Sequence, residues 1–229
     1  MFEFFAALAI FLASHSIPAR PGVRSALVGV LGERLYLAIY GLTSVALLAW
    51  LILAAQRAPY IPLWIPDARQ YWVPILVMPA ALFLLIGGVL APNPLSVGFR
   101  ANRFDPAKAG VVGVTRHPIL WGFALWAASH VVPNGDLVSV TMFGGFALFA
   151  LLAMPMIDKR KRRAMGIGWS NLARRTSIVP FGAMLRGTVS WNRPAHTLAA
   201  TIAITAASYL VLLLAHAALF GPDPTIVLN

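Results

Sequence analysis

Apolar residues come in six long blocks, near Phe2–Ile17, Leu35–Ala55, Tyr71–Leu90, Val111–Val132, Leu137–Ile157 and Ala195–Phe220, with polar residues collected between them. A helix needs roughly 20 apolar residues to cross about 30 Å of hydrocarbon. The second, third, fifth and sixth blocks meet that length outright. The first is short, and the fourth reaches it only by beginning before Arg116, near Val111. Both short blocks carry a histidine, which suits helices packed among others rather than facing lipid. The pattern predicts an all-α integral membrane protein: a bundle of six transmembrane helices forming one domain over residues 1–229. Pro133, Asn134, Gly135 and Asp136 make a turn too short to pass a neighbour, so blocks four and five form an antiparallel hairpin.

Composition agrees. Of 229 residues, 59% are hydrophobic and 11% charged, against about 25% charged in an average soluble domain. A formal charge of +11 would point to nucleic acid in a soluble protein. Here the placement of the charge gives a different reading. If the blocks alternate across a bilayer, 16 of the 18 Lys and Arg residues fall on one side and only Arg57 and Arg69 on the other. The positive-inside rule makes the richer side cytoplasmic and puts both termini outside. The N-terminus lacks a basic leader and begins with Glu3 as its first charge, so it reads as a retained helix in the cytoplasmic membrane. Cysteine is absent, which excludes disulfides, thiolate ligation and covalent haem attachment through Cys-x-x-Cys-His.

The chemistry concentrates between Thr115 and Asp136. Arg116 and His117 precede Pro118, where a proline suits the first turn of a helix, and an apolar run with Trp121 and Trp126 ends at His130. Free N–H groups at a helix start attract anions, and Arg116 adds a full positive charge there. Histidine inside a bilayer is costly and marks a candidate site. Five histidines exist: His15, His117, His130, His196 and His216. His196 sits at the membrane edge and reads as interfacial, and His216 as a helix–helix hydrogen-bonding residue. Residues 158–194 form a cytoplasmic basic segment. Lys159, Arg160, Lys161, Arg162 and Arg163 open it, and Met165, Trp169 and Leu172 then recur at helical spacing. It suits either an extension of helix five lying on anionic lipid or a lid over a ligand pocket. No Ser/His/Asp arrangement, glycine-rich phosphate loop or calcium loop is visible.

Several stretches together carry a resemblance: His15-Ser-Ile-Pro-Ala-Arg20, Gly32-Glu-Arg-Leu-Tyr36, Arg116-His-Pro118, Leu120-Trp-Gly122, Trp126-Ala-Ala-Ser-His130 and Asn134-Gly-Asp136. From about Phe2 to Asp158 the chain resembles the NnrU family of bacterial membrane proteins, associated with denitrification and nitric-oxide metabolism. The family includes the zeta-carotene isomerase of plants and cyanobacteria, which carries non-covalent haem b. The resemblance implies a haem b cofactor, with His15 and His130 at ligand positions; by charge and depth, Arg116 and His117 are groups that could hold its propionates. The isomerase has a cysteine three residues before the second histidine, where this chain has Ala127. A fainter resemblance reaches the isoprenylcysteine carboxyl methyltransferases, through Arg116-His-Pro118, the hairpin, and Gly166, Trp169, Arg175, Thr176 and Pro180. Those enzymes open the last segment with acidic residues, whereas here Asp158 stands alone before Lys159.

Three functions follow as expectations: a haem-binding membrane protein supporting nitrogen-oxide respiration, an S-adenosylmethionine-dependent membrane methyltransferase, or a non-catalytic scaffold for membrane reductase components. Neutral imidazole suits haem iron. Depth and resemblance disagree on the ligand pair. His117 and His130 are 13 residues apart, roughly 20 Å along a helix and about 140° around it, so they cannot share one iron. By depth His15 pairs with His117 and His130 with His216; by resemblance His15 pairs with His130.

Overall fold

The computed structural model describes residues 1–18, 20–97, 104–189, 191 and 194–228. Arg100, Arg103 and Arg193, which entered the charge asymmetry, lie outside them. The described residues fold as helices joined by turns and short irregular stretches. Among the described residues four apolar stretches are long enough to cross a membrane: Glu33–Arg57, Ala68–Leu90, Leu137–Met165 and Ala195–Leu214. A fifth span results if Phe2–Ser16 and Pro21–Leu31 count as one broken helix. The six apolar blocks are all helical, but the two short ones remain short. The first yields a helix of 15 residues. The fourth breaks at Thr115–His117 and leaves 14 residues, Pro118–Val131, about 21 Å of helix.

The chain divides into two compact units. The first comprises residues 1–64 and 136–142. Its helices are α1 (Phe2–Ser16), α2 (Pro21–Leu31) and α3 (Glu33–Arg57). α1 and α3 run antiparallel. Glu3, at the start of α1, accepts a hydrogen bond from Trp50 Nε1 at 3.2 Å and lies 3.7 Å from Arg57, at the end of α3. At the other end Tyr36 donates its hydroxyl to the Pro18 carbonyl. The helix α2 was not foreseen: it is too short to span, and its start signal is Pro21 at the first helical position.

The second unit comprises residues 65–135 and 143–229. It contains α4 (Trp72–Leu90), the single turn α5 (Val111–Val114), α6 (Pro118–Val131), most of α7 (Leu137–Met165), α8 (Ile167–Arg174), α9 (Gly182–Leu185), α10 (Ala195–Leu214) and α11 (His216–Phe220). α6 packs closely along α4 because glycine permits it. A Cβ added at Gly122 would sit 2.6 Å from the Ala81 carbonyl oxygen, and one at Gly88 would sit 2.7 Å from Ile119 Cγ1. Small residues at such contacts are how membrane helices approach, since apolar side chains gain little by leaving lipid for one another. The core beside this contact is Leu84, Ala91, Val111, Val112 and Val114, with Phe83, Trp121 and Trp191 against it. α10 also packs on α4, and Tyr209 donates to the Ile75 carbonyl at 3.0 Å. Large apolar side chains such as Leu42, Val45, Leu76, Leu148, Leu152 and Val211 point outward, as a bilayer solvent requires.

Candidate functional site

The predicted residues fall into three places. His15 is in the first unit, near the end of α1. Its Nδ1 lies 2.8 Å from the carbonyl of Phe11, one turn back. The Phe11 ring is 4.2 Å away and the edge of Tyr40 5.8 Å. A backbone carbonyl only accepts, so this contact puts the proton on Nδ1 and leaves the Nε2 lone pair as the ring's donor to a metal or ligand.

Arg116 and His117 meet at the break before α6, in the second unit. Thr115 is extended, and Pro118 opens the helix after His117. Arg116 grips Asp158 of α7 with two nitrogens: Nε lies 2.9 and 3.1 Å from its carboxylate oxygens, and Nη2 2.6 Å from Oδ2. His117 Nε2 lies 3.1 Å from Asp158 Oδ1, and its Nδ1 2.6 Å from Ser96 Oγ. With the neutral ring, Nε2–H donates to the carboxylate and the Ser96 hydroxyl donates to Nδ1. The guanidinium also sits 5.7 Å from the centre of the Trp169 ring, a cation–π distance. The His117 side chain is wholly buried, and Arg116 and Asp158 expose about a tenth of theirs.

The same turn is tied to the chain after α8. Arg116 N–H donates to the Ser177 carbonyl at 2.8 Å and Phe181 N–H to the Val114 carbonyl at 2.7 Å. Thr115 Oγ1 and Trp121 Nε1 both donate to Ile178 O, at 2.7 and 2.8 Å. Asn93 Nδ2 donates to the Arg116 carbonyl at 2.9 Å. Residues 176–181 therefore seal the Arg-His-Pro turn rather than float over it. Ser96, His117 and Asp158 have the composition of a hydrolytic triad but not its arrangement. The ring nitrogens are exchanged relative to that geometry, in which Nε2 faces the nucleophile, and Ser96 is buried. The cluster is a clasp joining α6, α7 and the segment beyond.

Asp158, Ser96 and Asn93 were not singled out as site residues in the sequence. A signal existed for one of them. Asp158 is the sole acid between Asp136 and Asp223 and ends an apolar span, where a carboxylate needs a partner.

His130 lies at the opposite end of α6 from His117, and the structure does not bring the two together. It does bring His130 to His216, as depth suggested: the ring centres are 6.5 Å apart and the planes 22° from parallel. His130 Nδ1 lies 2.7 Å from the Trp126 carbonyl, and His216 Nδ1 2.7 Å from the Pro222 carbonyl. Both therefore keep Nε2 as the free acceptor, like His15. Trp126 and Phe143 flank the His130 ring at 5.7 and 5.4 Å. The two imidazoles line one cavity of about 150 Å³, walled mainly by apolar and aromatic side chains of α4, α6, α10 and α11. His196, at the start of α10, is exposed. Among the described residues no three His, Cys, Asp or Glu side chains gather as a metal site.

No solved structure matches the chain. Over 80 residues it is 28% identical to the chloroplastic 15-cis-zeta-carotene isomerase of Arabidopsis thaliana and 30% identical to that of Zea mays. In each case the match covers 35% of this chain and 22% of the relative, so the chain spans well under a third of the length of the curated relatives it matches. The model of the family described as NnrU protein matches residues 3–224. With that match running through both units and nearly the whole sequence, the chain belongs to the NnrU family of membrane proteins.

Proposed function

We propose that the chain is a haem b-binding protein of the bacterial inner membrane that supports denitrification or nitric-oxide metabolism alongside membrane reductase components. The observation carrying this reading is shared by His15 and His130. Each ties Nδ1 to the carbonyl one turn back in its own helix, which fixes the ring and leaves Nε2 as a neutral donor suited to haem iron. Haem would supply the redox or ligand-binding chemistry, and His15 and His130 are the imidazoles proposed to hold it. Arg116 and His117 position the helix that carries His130, through Asp158 and Ser96. The cavity beside His130, about 150 Å³, is smaller than the roughly 300–1,000 Å³ that encloses molecules of drug size. It does not enclose a tetrapyrrole, so His15 is the residue on which the proposal most depends. His15→Ala abolishes the haem spectrum of the purified protein, and His196→Ala leaves it unchanged. Protein that purifies without haem after haem-supplemented expression overturns the reading.

In the same proposal α1 and α6 complete six spans, with both termini outside. Reporter fusions at Gly135 and Asn229 then score as external, and a cytoplasmic score at either site overturns that topology. The small cavity and the saturated His117 favour a second reading, a non-catalytic scaffold, which a haem-free protein in complex with reductase components would support. Methyl transfer draws no support from the site. A sulfonium cofactor needs nearby acid, and Asp158 is already engaged by Arg116 and His117.

A further inference from the structure

We propose that His130 and His216, together with Met78, form a seat for one monovalent copper ion. This inference does not rest on the haem reading and competes with it for His130, whose one Nε2 lone pair can bind either iron or copper but not both. It begins from spacing. Metal–nitrogen bonds of roughly 2.0 Å, with each ring nitrogen about 1.1 Å from its ring centre, place two opposed imidazoles about 6.2 Å apart centre to centre. The rings of His130 and His216 are 6.5 Å apart and 22° from parallel. Both Nδ1 atoms are held by backbone carbonyls at 2.7 Å, so both rings arrive with the tautomer a metal ligand needs, Nε2 unprotonated. The backbone carbonyls are also the outer-shell partners that raise the basicity of a ligating imidazole.

The lining decides which ion. Met78 stands in the same cavity wall, and the wall contains no Asp, Glu, Lys or Arg. Asp223, between the wall residues Pro222 and Pro224, interacts with His216 by charge, so a divalent ion there would still keep one charge uncompensated in a mainly apolar site. The idealised desolvation cost scales with the square of the charge, so it is about four times that of a monovalent ion. Imidazole suits copper among the first-row metals, and a thioether selects its lower oxidation state. Cavity volume points the same way: about 150 Å³ is below the roughly 300–1,000 Å³ that encloses molecules of drug size, room for an ion and its ligands but not for a macrocycle. Tyr209 and Trp126 add polarizable walls, and Tyr209 has its own hydroxyl committed to the Ile75 carbonyl.

The test uses the full chain, purified in detergent micelles without added haem and titrated with Cu(I) against a chromophoric Cu(I) chelator under reducing conditions. One Cu(I) per chain is expected. His130→Ala and His216→Ala each weaken binding by roughly 100-fold or more, because losing a ligand costs more than the 10–100-fold typical of an outer-shell partner. Met78→Leu conserves volume and preserves the fold, so it keeps the proposal testable if a histidine variant fails to fold. It lowers the affinity about ten-fold and removes the sulfur scatterer from the X-ray absorption spectrum, a ligand effect smaller than loss of an imidazole. His196→Ala changes nothing. Unaltered Cu(I) binding in His216→Ala overturns the site. Zn(II) binding at least as tight as Cu(I), with the same histidine dependence, overturns the monovalent assignment. If Cu(I) does not bind and His216→Ala instead removes a haem absorption band, the copper site fails and His216 passes to the haem reading, so the two proposals fail separately.

Discussion

His117 and His130 stand at opposite ends of one helix, and their surroundings differ in one decisive respect. At the first end both ring nitrogens have protein partners, the Arg116 charge beside the ring is matched by Asp158, and the His117 side chain has no exposed surface. At the second end one nitrogen is tied to the backbone and the ring lines a cavity. A buried polar group whose partners are complete rigidifies the structure around it. One whose partners are half complete keeps a binding capacity in reserve. The comparison separates a histidine that holds the fold from one that offers a site, although their residue type and helix are the same.

The strongest way to break that contrast is to remove Asp158. Asp158→Ala leaves the Arg116 guanidinium buried with no counter-charge and His117 without its acceptor. Breaking a buried pair from one side costs about 3–5 kcal/mol, and thermal unfolding in detergent should register a loss of that order. If Asp158→Ala is destabilised no more than His130→Ala, the clasp does not hold the fold and the comparison collapses. Nearly as large is Gly122→Leu. The obstacle at Gly122 includes the backbone of Ala81 and Leu85, which cannot rotate away. Overpacking costs typically 1–3 kcal/mol, and because α4 supports α6 along its length, the variant should weaken both ends of α6 together. Loss confined to one end would show that the two regions are held independently.

How much of this was written in the sequence follows from the kind of interaction. The apolar blocks were legible because a bilayer rewards length and hydropathy, which are local properties. The helix start at Pro118 was legible, but the break at Thr115–His117 was not, since the fourth block read as one span from near Val111. The pairing of His130 with His216 followed from depth, since a helix rises steadily with residue number. The clasp was not legible. Its members come from residues 93–96, 115–121, 158 and 176–181, and irregular backbone carries no periodicity to align them. Nor could the sequence say which ring nitrogen of His15, His130 or His216 is committed, because that depends on a rotamer meeting a particular carbonyl.

A smaller effect sharpens the contrast from the saturated side. Thr115→Val removes the hydroxyl that donates to Ile178 O. That carbonyl keeps Trp121 Nε1 as a second donor, but the same hydroxyl accepts from the His117 backbone N–H at 3.3 Å, which valine leaves unpaired, so the cost should be about 1–2 kcal/mol, the lower part of the range for an unpaired buried donor. Limited proteolysis near Ile178 measures it: cleavage should quicken several-fold while copper binding at the far end of α6 is unchanged. A Thr115→Val protein that loses both would mean that the clasp and the cavity are energetically one.

The smallest expected effect concerns Phe181, whose N–H closes the clasp on the Val114 carbonyl. Its φ of +62° is left-handed, a conformation that costs a residue with a Cβ roughly 1–2 kcal/mol. Phe181 is more than half exposed, so truncating its ring loses little packing. Phe181→Gly relieves the backbone but adds about 0.5–1 kcal/mol of entropy to the unfolded chain; the net change should be between zero and about 1.5 kcal/mol of stabilisation. Phe181→Ala keeps the strain and loses the ring as well. The difference between the two variants isolates the backbone contribution, and Gly should exceed Ala in unfolding stability by about 1 kcal/mol. Equal stability would mean that the clasp is closed without strain. A clear advantage for Gly would mean that the contacts at Thr115, Arg116 and Asp158 hold Phe181 in a conformation its own backbone disfavours, as a saturated network can and a half-occupied cavity cannot.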